Sequence, residues 1–192
     1  MMKKRIDWID ITKGVAIILM VIGHTIPYSN FMVWIFSFHM PLFIILSGIT
    51  YKIPKDRAEL KKNFGKYLKK LFLPYALTLL LCTIILVFKN NHVFDFMTFI
   101  KETIKNFVWG NGCDYQFLGF NFKGIGAIWF LITLFFSKLA FDYINYKIKQ
   151  KNNNDYYSLI LYSFLLLIGI EIGLKIWLPQ GFDLVLVFLF YL

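Results

Sequence analysis

The chain has 192 residues, of which 58% are hydrophobic, and its 21 Lys and Arg against 11 Asp and Glu leave a formal charge of +10. With 22 Phe and 11 Tyr, so much apolar surface exceeds what a soluble core of this length can hide, which excludes the soluble globular class. The basic residues stand in short clusters between long apolar runs, the pattern of a chain meeting a lipid bilayer, and no nucleic-acid partner is expected.

Lys3, Lys4 and Arg5 ahead of an apolar run imitate a secretory signal, but no small-residue cleavage site follows. The chain passes through Gly23, His24 and Pro27 straight into another apolar segment, so the first run is read as retained. A hydrocarbon core of about 30 Å takes about 20 apolar helical residues, which places candidate spans at 11–28, 31–50, 70–88, 125–143 and 157–178. A sixth starts near Asp183 and stops at Leu192 in mid-pattern, so the chain reads as truncated there. The expected fold class is all-α: a polytopic transmembrane helical bundle of five complete spans and the start of a sixth. Residues 1–192 are read as the N-terminal portion of one membrane domain.

Charged and polar groups are costly in hydrocarbon, so those within the spans are the functional candidates. In the first span, Lys13 and His24 are eleven residues apart and share a helix face to within about 20°, with Asp10 within about 40° of His24. The rise puts Lys13 and His24 roughly 16 Å apart, too far for a direct pair, so they line a path or grip one long ligand. The competing reading makes Lys13 a juxtamembrane anchor paired with Asp10 at i, i+3 and His24 an interfacial histidine. In the second span Pro41 removes a backbone donor, should kink the helix and frees the carbonyl of Ser37. His39 next to it either faces His24 across an antiparallel pair or is hydrogen-bonded for packing alone. Ser47-Gly48 is read as a small-residue contact.

Pro54 to Lys70 spaces Leu60, Phe64, Tyr67 and Leu68 helically among lysines and reads as an interfacial amphipathic helix. Val93 to Trp109 is a second amphipathic, non-spanning piece, lying on the outer surface or lidding a cavity. Asn111-Gly112 suits a turn, and Asp114 either joins it or meets an acceptor. Trp129 reads as part of an interfacial aromatic belt, and Glu171 and Lys175 as an i, i+4 ion pair. Cys82 and Cys113 have neither disulfide nor zinc spacing, so no metal is expected.

Lys and Arg resist translocation, which sets orientation. The N-terminal cluster, the stretch Lys52 to Lys70 with eight Lys and Arg against Asp56 and Glu59, and Lys147 to Lys151 alternate correctly for one cytoplasmic side. The N-terminus is therefore expected in the cytoplasm, with Pro27 to Asn30 and Lys89 to Lys123 outside.

Assembled, these residues resemble the acyltransferase 3 family of polytopic membrane O-acyltransferases, especially its branch likened to fucose 4-O-acetylases. The likeness rests on Trp8-Ile-Asp-Ile-Thr-Lys-Gly with Gly23-His24 beyond, on Phe36-Ser-Phe-His-Met-Pro-Leu-Phe through Ser47-Gly48, and on Ile128-Trp-Phe-Leu. Many members carry arginine where Lys13 stands, while lysine is usual in this branch. The family's domain generally holds more spans than this chain. The resemblance implies transfer of an acyl group, usually acetyl, from cytoplasmic acetyl-CoA or another acyl-CoA to a sugar hydroxyl of a cell-surface or exported glycan, at the plasma membrane and without a metal.

In that reaction His24 is the first choice of catalytic base and His39 the second, with Lys13, Asp10 and Ser37 as substrate contacts. The partners implied are acyl-CoA, a glycan acceptor and the lipid bilayer. The alternatives are a transporter or channel fragment using the same ionisable residues as a path, and a noncatalytic membrane sensor or assembly subunit.

Overall fold

The computed structural model describes residues 7–91, 96–110, 112, 114–117, 120–122, 124–150, 155–175, 178, 184, 185 and 187. Among them, five helices are long and apolar enough to cross a membrane. The expected sixth run from Asp183 onward lies outside the described residues apart from 184, 185 and 187.

Two compact units form, divided between Lys52 and Ile53. The first holds α1 (Asp7–Thr25) and α2 (Asn30–Ile49), packed on each other as a helical hairpin. Ser29 caps α2, its hydroxyl accepting from the Met32 amide at 3.3 Å and so satisfying a donor that the first turn leaves open. The helix runs unbroken through Pro41.

The second unit begins with α3 (Arg57–Tyr67). Asp56 caps it, accepting from Glu59 N–H at 2.7 Å, while the Glu59 carboxylate accepts from Lys55 N–H at 2.8 Å. A π-helical turn, Leu68–Phe72, then leads without a break into α4 (Leu73–Asn91). The expected interfacial helix is thus the basic extension of the third span. Tyr67, Tyr75, Leu79, Thr83 and Val87 are buried, and their multiples-of-four spacing drifts by about 40° for every four residues of α-helix. The wider π turn takes back part of that drift and keeps Tyr67 in one cluster with Tyr75 and Leu79, against Ile132 and Phe135.

The amphipathic, non-spanning piece is α5 (Phe96–Trp109). Phe107 lies 6.3 Å from Phe72 and 6.4 Å from Tyr75 between ring centres, so α5 returns along α4 toward its beginning. Tyr75 is about 24 Å of helix from Asn91, which sets α5 against most of the apolar body of α4. After it come two short antiparallel strands, β1 (Tyr115–Phe117) and β2 (Phe120–Phe122), a small β element among described residues that are mostly helical. Trp109 stacks on Phe122 at 4.5 Å. Gly112 lies so close to Trp129 that a Cβ there would stand 2.5 Å from the indole Nε1; this indole packs beneath a loop. Asp114 accepts from Gly124 N–H at 2.7 Å, tying the loop, and Asn111 and Cys113 lie outside the described residues.

A single 3₁₀ turn, Gly126–Ile128, opens α6 (Trp129–Gln150), which runs antiparallel to α4 and then α3. Phe135 meets Phe72 at 5.5 Å and Phe64 at 6.2 Å, and Asn63 reaches Asp142. α7 (Asp155–Lys175) touches α6 where Tyr162 meets Phe141 at 5.3 Å. Its Glu171 and Lys175 form the expected i, i+4 ion pair at 3.3 Å.

Candidate functional site

The two histidines within the first two spans share one cluster. α1 turns Ile9, Ala16 and Gly23 inward, residues seven apart that fall on one stripe of the helix. At Gly23 the helices come close: a Cβ there would lie 3.2 Å from Phe36 Cε1 and 3.3 Å from Ile35 Cγ2. The space left by the missing side chain admits the Phe36 ring, which lies between the imidazoles at 5.0 Å from His24 and 5.3 Å from His39.

The two imidazoles differ in setting. His39 is 4% exposed, with Nδ1 3.0 Å from the carbonyl oxygen of Ile35 one turn back. A carbonyl only accepts, so Nδ1 is the protonated nitrogen of the neutral ring and Nε2 keeps its lone pair. His24, near the end of α1, is exposed. The site therefore pairs one oriented, buried imidazole with one accessible imidazole across an aromatic ring.

Lys13 is half-buried and Asp10 exposed. Both stand on α1 toward its opposite end from His24, as the periodicity requires. Ser37 is not brought into the cluster. It is exposed, its hydroxyl donates to Trp34 O at 2.7 Å, and two residues of helix turn it about 200° away from His39. Sequence reasoning missed Phe36 and Gly23 as parts of this site. Gly23 directly precedes His24, and Phe36 sits at i, i+3 to His39 where side chains meet, so the signal was the spacing itself.

A family described as "Acyltransferase domain" matches residues 6–192, nearly the whole chain. The chain belongs to the acyltransferase 3 family. One relative, Nodulation protein NolL of Mesorhizobium japonicum, is 28% identical over 139 residues, which cover 67% of this chain and 33% of that protein. The chain thus spans about a third of the length of this curated relative. No solved structure matches it.

Proposed function

We propose that this protein moves an acyl group, acetyl first among them, from cytoplasmic acyl-CoA to a sugar hydroxyl of a cell-surface or exported glycan. It does so as a multi-pass plasma-membrane protein with its N-terminus in the cytoplasm. The observation that carries this reading is the His24–Phe36–His39 cluster in a chain of the acyltransferase family.

A sugar hydroxyl is a weak nucleophile and needs its proton removed as it attacks. His24, accessible at the hairpin edge, takes that proton while the oxygen bonds to the thioester carbonyl carbon. The carbon–sulfur bond then breaks, and the imidazolium returns the proton to the departing CoA thiolate, so atoms and charge balance. His39, fixed through Nδ1, backs Phe36 and holds the aromatic wall against which His24 works. In this reading Lys13 meets a phosphate of CoA or the carbonyl oxygen as negative charge grows on it. Asp10, beside Lys13 on the helix face, orients that ammonium. The lysine-rich segment around α3 draws in the anionic donor.

The test is glycan mass analysis of cells with and without the protein, fed isotopically labelled acetate. Labelled acetyl esters that appear only with the protein support the reading. An unchanged glycan, together with no CoA release from acetyl-CoA by the purified protein in the presence of the acceptor glycan, refutes it.

A further inference from the structure

The helix of the third span is longer than a bilayer core is thick. α3, the π turn and α4 run as one helix from Arg57 to Lys89, and from Leu71 to Phe88 it carries no charge. That uncharged run rises about 27 Å, close to the hydrocarbon thickness, so Lys70 and Lys89 mark its two boundaries. Counting back from Leu71, Lys70, Lys69 and Lys66 stand within about 8 Å, the depth of one headgroup layer. α6 adds a cation at that level, the Lys138 ammonium lying 5.7 Å from the centre of the Tyr67 ring. Lys55, Arg57 and Lys61 are about 15 Å or more from Leu71 and stand in water, where a soluble anion such as the donor meets them.

Lys66, Lys69 and Lys70 follow one another at i, i+3 and i+4, so the three share one side of the helix and repel each other. All three are exposed. The acidic residues of the segment are engaged elsewhere, Asp56 accepting from Glu59 N–H and Glu59 from Lys55 N–H at the start of α3. Open apolar surface lies beside the charge: Leu68 is 38% exposed at the level of the lysines, and Leu73 is 50% exposed just below it. Cations at phosphate depth next to apolar surface match a molecule that carries both a phosphate and acyl chains. Such a cluster attracts headgroups electrostatically and needs no fixed side-chain direction.

We propose that Lys66, Lys69 and Lys70 form a binding site for an anionic phospholipid, with its headgroup phosphate on the lysines and its acyl chains along Leu68 and Leu73. The site lies wholly within the second unit and is independent of the acyl-transfer assignment.

The experiment counts lipid bound to the purified chain in neutral detergent by native mass spectrometry. The probes are phosphatidylglycerol and zwitterionic phosphatidylcholine with the same acyl chains. Phosphatidylglycerol should bind about 10²-fold more tightly than phosphatidylcholine, and millimolar inorganic phosphate should not displace it. Each of Lys66→Gln, Lys69→Gln and Lys70→Gln should weaken phosphatidylglycerol about fivefold and leave phosphatidylcholine unchanged, and the triple variant should abolish the preference. A second triple, Lys55→Gln with Arg57→Gln and Lys61→Gln, removes the same charge and should keep the preference. Equal binding of the two lipids to the wild type overturns the proposal. So does an equal loss in the two triples, which would reduce the preference to net charge, and so does displacement by inorganic phosphate, which would identify a site for soluble anions. Should the first triple not fold, the single variants decide, and wild-type affinity in all three overturns the proposal.

Discussion

His39 Nδ1 lies 3.0 Å from the backbone oxygen of Ile35, and this contact sets the tautomer of a buried imidazole. With Nδ1 bound to a group that cannot donate, the neutral ring carries its proton there. In ¹⁵N spectra of histidine-labelled protein in nanodiscs at neutral pH, His39 should show a protonated Nδ1 and a bare Nε2. A spectrum with the proton on Nε2 would show that the Ile35 contact does not orient the ring.

Gly23 controls how closely the two helices carry the histidines. Alanine there asks the half-buried Phe36 ring to yield a few tenths of an ångström and gains helix propensity, so Gly23→Ala should leave stability within about 1 kcal/mol of the wild type. Gly23→Leu forces the hairpin apart and should cost about 1–3 kcal/mol, with most activity lost. Thermal melts of the two variants in one detergent decide it; equal midpoints would mean that the close approach is unimportant.

Lys13 stands apart from the histidines along α1, so its loss should act on donor binding. Lys13→Ala should raise KM for acetyl-CoA with a smaller effect on kcat, and Lys13→Arg should retain substantial activity, since either cation meets a phosphate. Steady-state kinetics with varied acetyl-CoA separates these outcomes. A pure kcat defect in Lys13→Ala would place the ammonium at the reacting carbonyl instead.

Charge asymmetry orients the chain with Tyr28 and Lys89 outside and Lys62 and Lys149 in the cytoplasm. All four are exposed, so single cysteines at these positions report topology directly. In intact cells, and with the native Cys82 and Cys113 replaced, a membrane-impermeant thiol reagent should label Tyr28→Cys and Lys89→Cys only. The reverse pattern would invert the orientation.

The spans and the polar face of α1 were legible because helical period and hydropathy are local properties: Lys13 and His24 share a face by spacing alone. Partners across the fold were less so. The amphipathic pattern of Phe96–Trp109 announced a helix with one apolar face, but that this face returns along α4 depends on where Phe72 and Tyr75 stand. The multiples-of-four spacing of Tyr67, Tyr75 and Leu79 was in the sequence too, yet its meaning required the π turn that keeps those residues facing α6. Asp142 was passed over although a carboxylate after Leu139-Ala140-Phe141 is a conspicuous cost, because its partner Asn63 is remote in the chain.

The central claim is that His24 takes the proton from the acceptor hydroxyl, and the most direct measurement is acyl transfer by His24→Ala in membranes holding the same amount of protein as the wild type. The account predicts a loss of about 10²–10⁴-fold in rate at unchanged abundance and unchanged acetyl-CoA affinity, the effect of removing a general base. Normal turnover in His24→Ala with loss in His39→Ala would move the base to the second helix, and normal turnover in both would contradict the enzymatic role of the cluster.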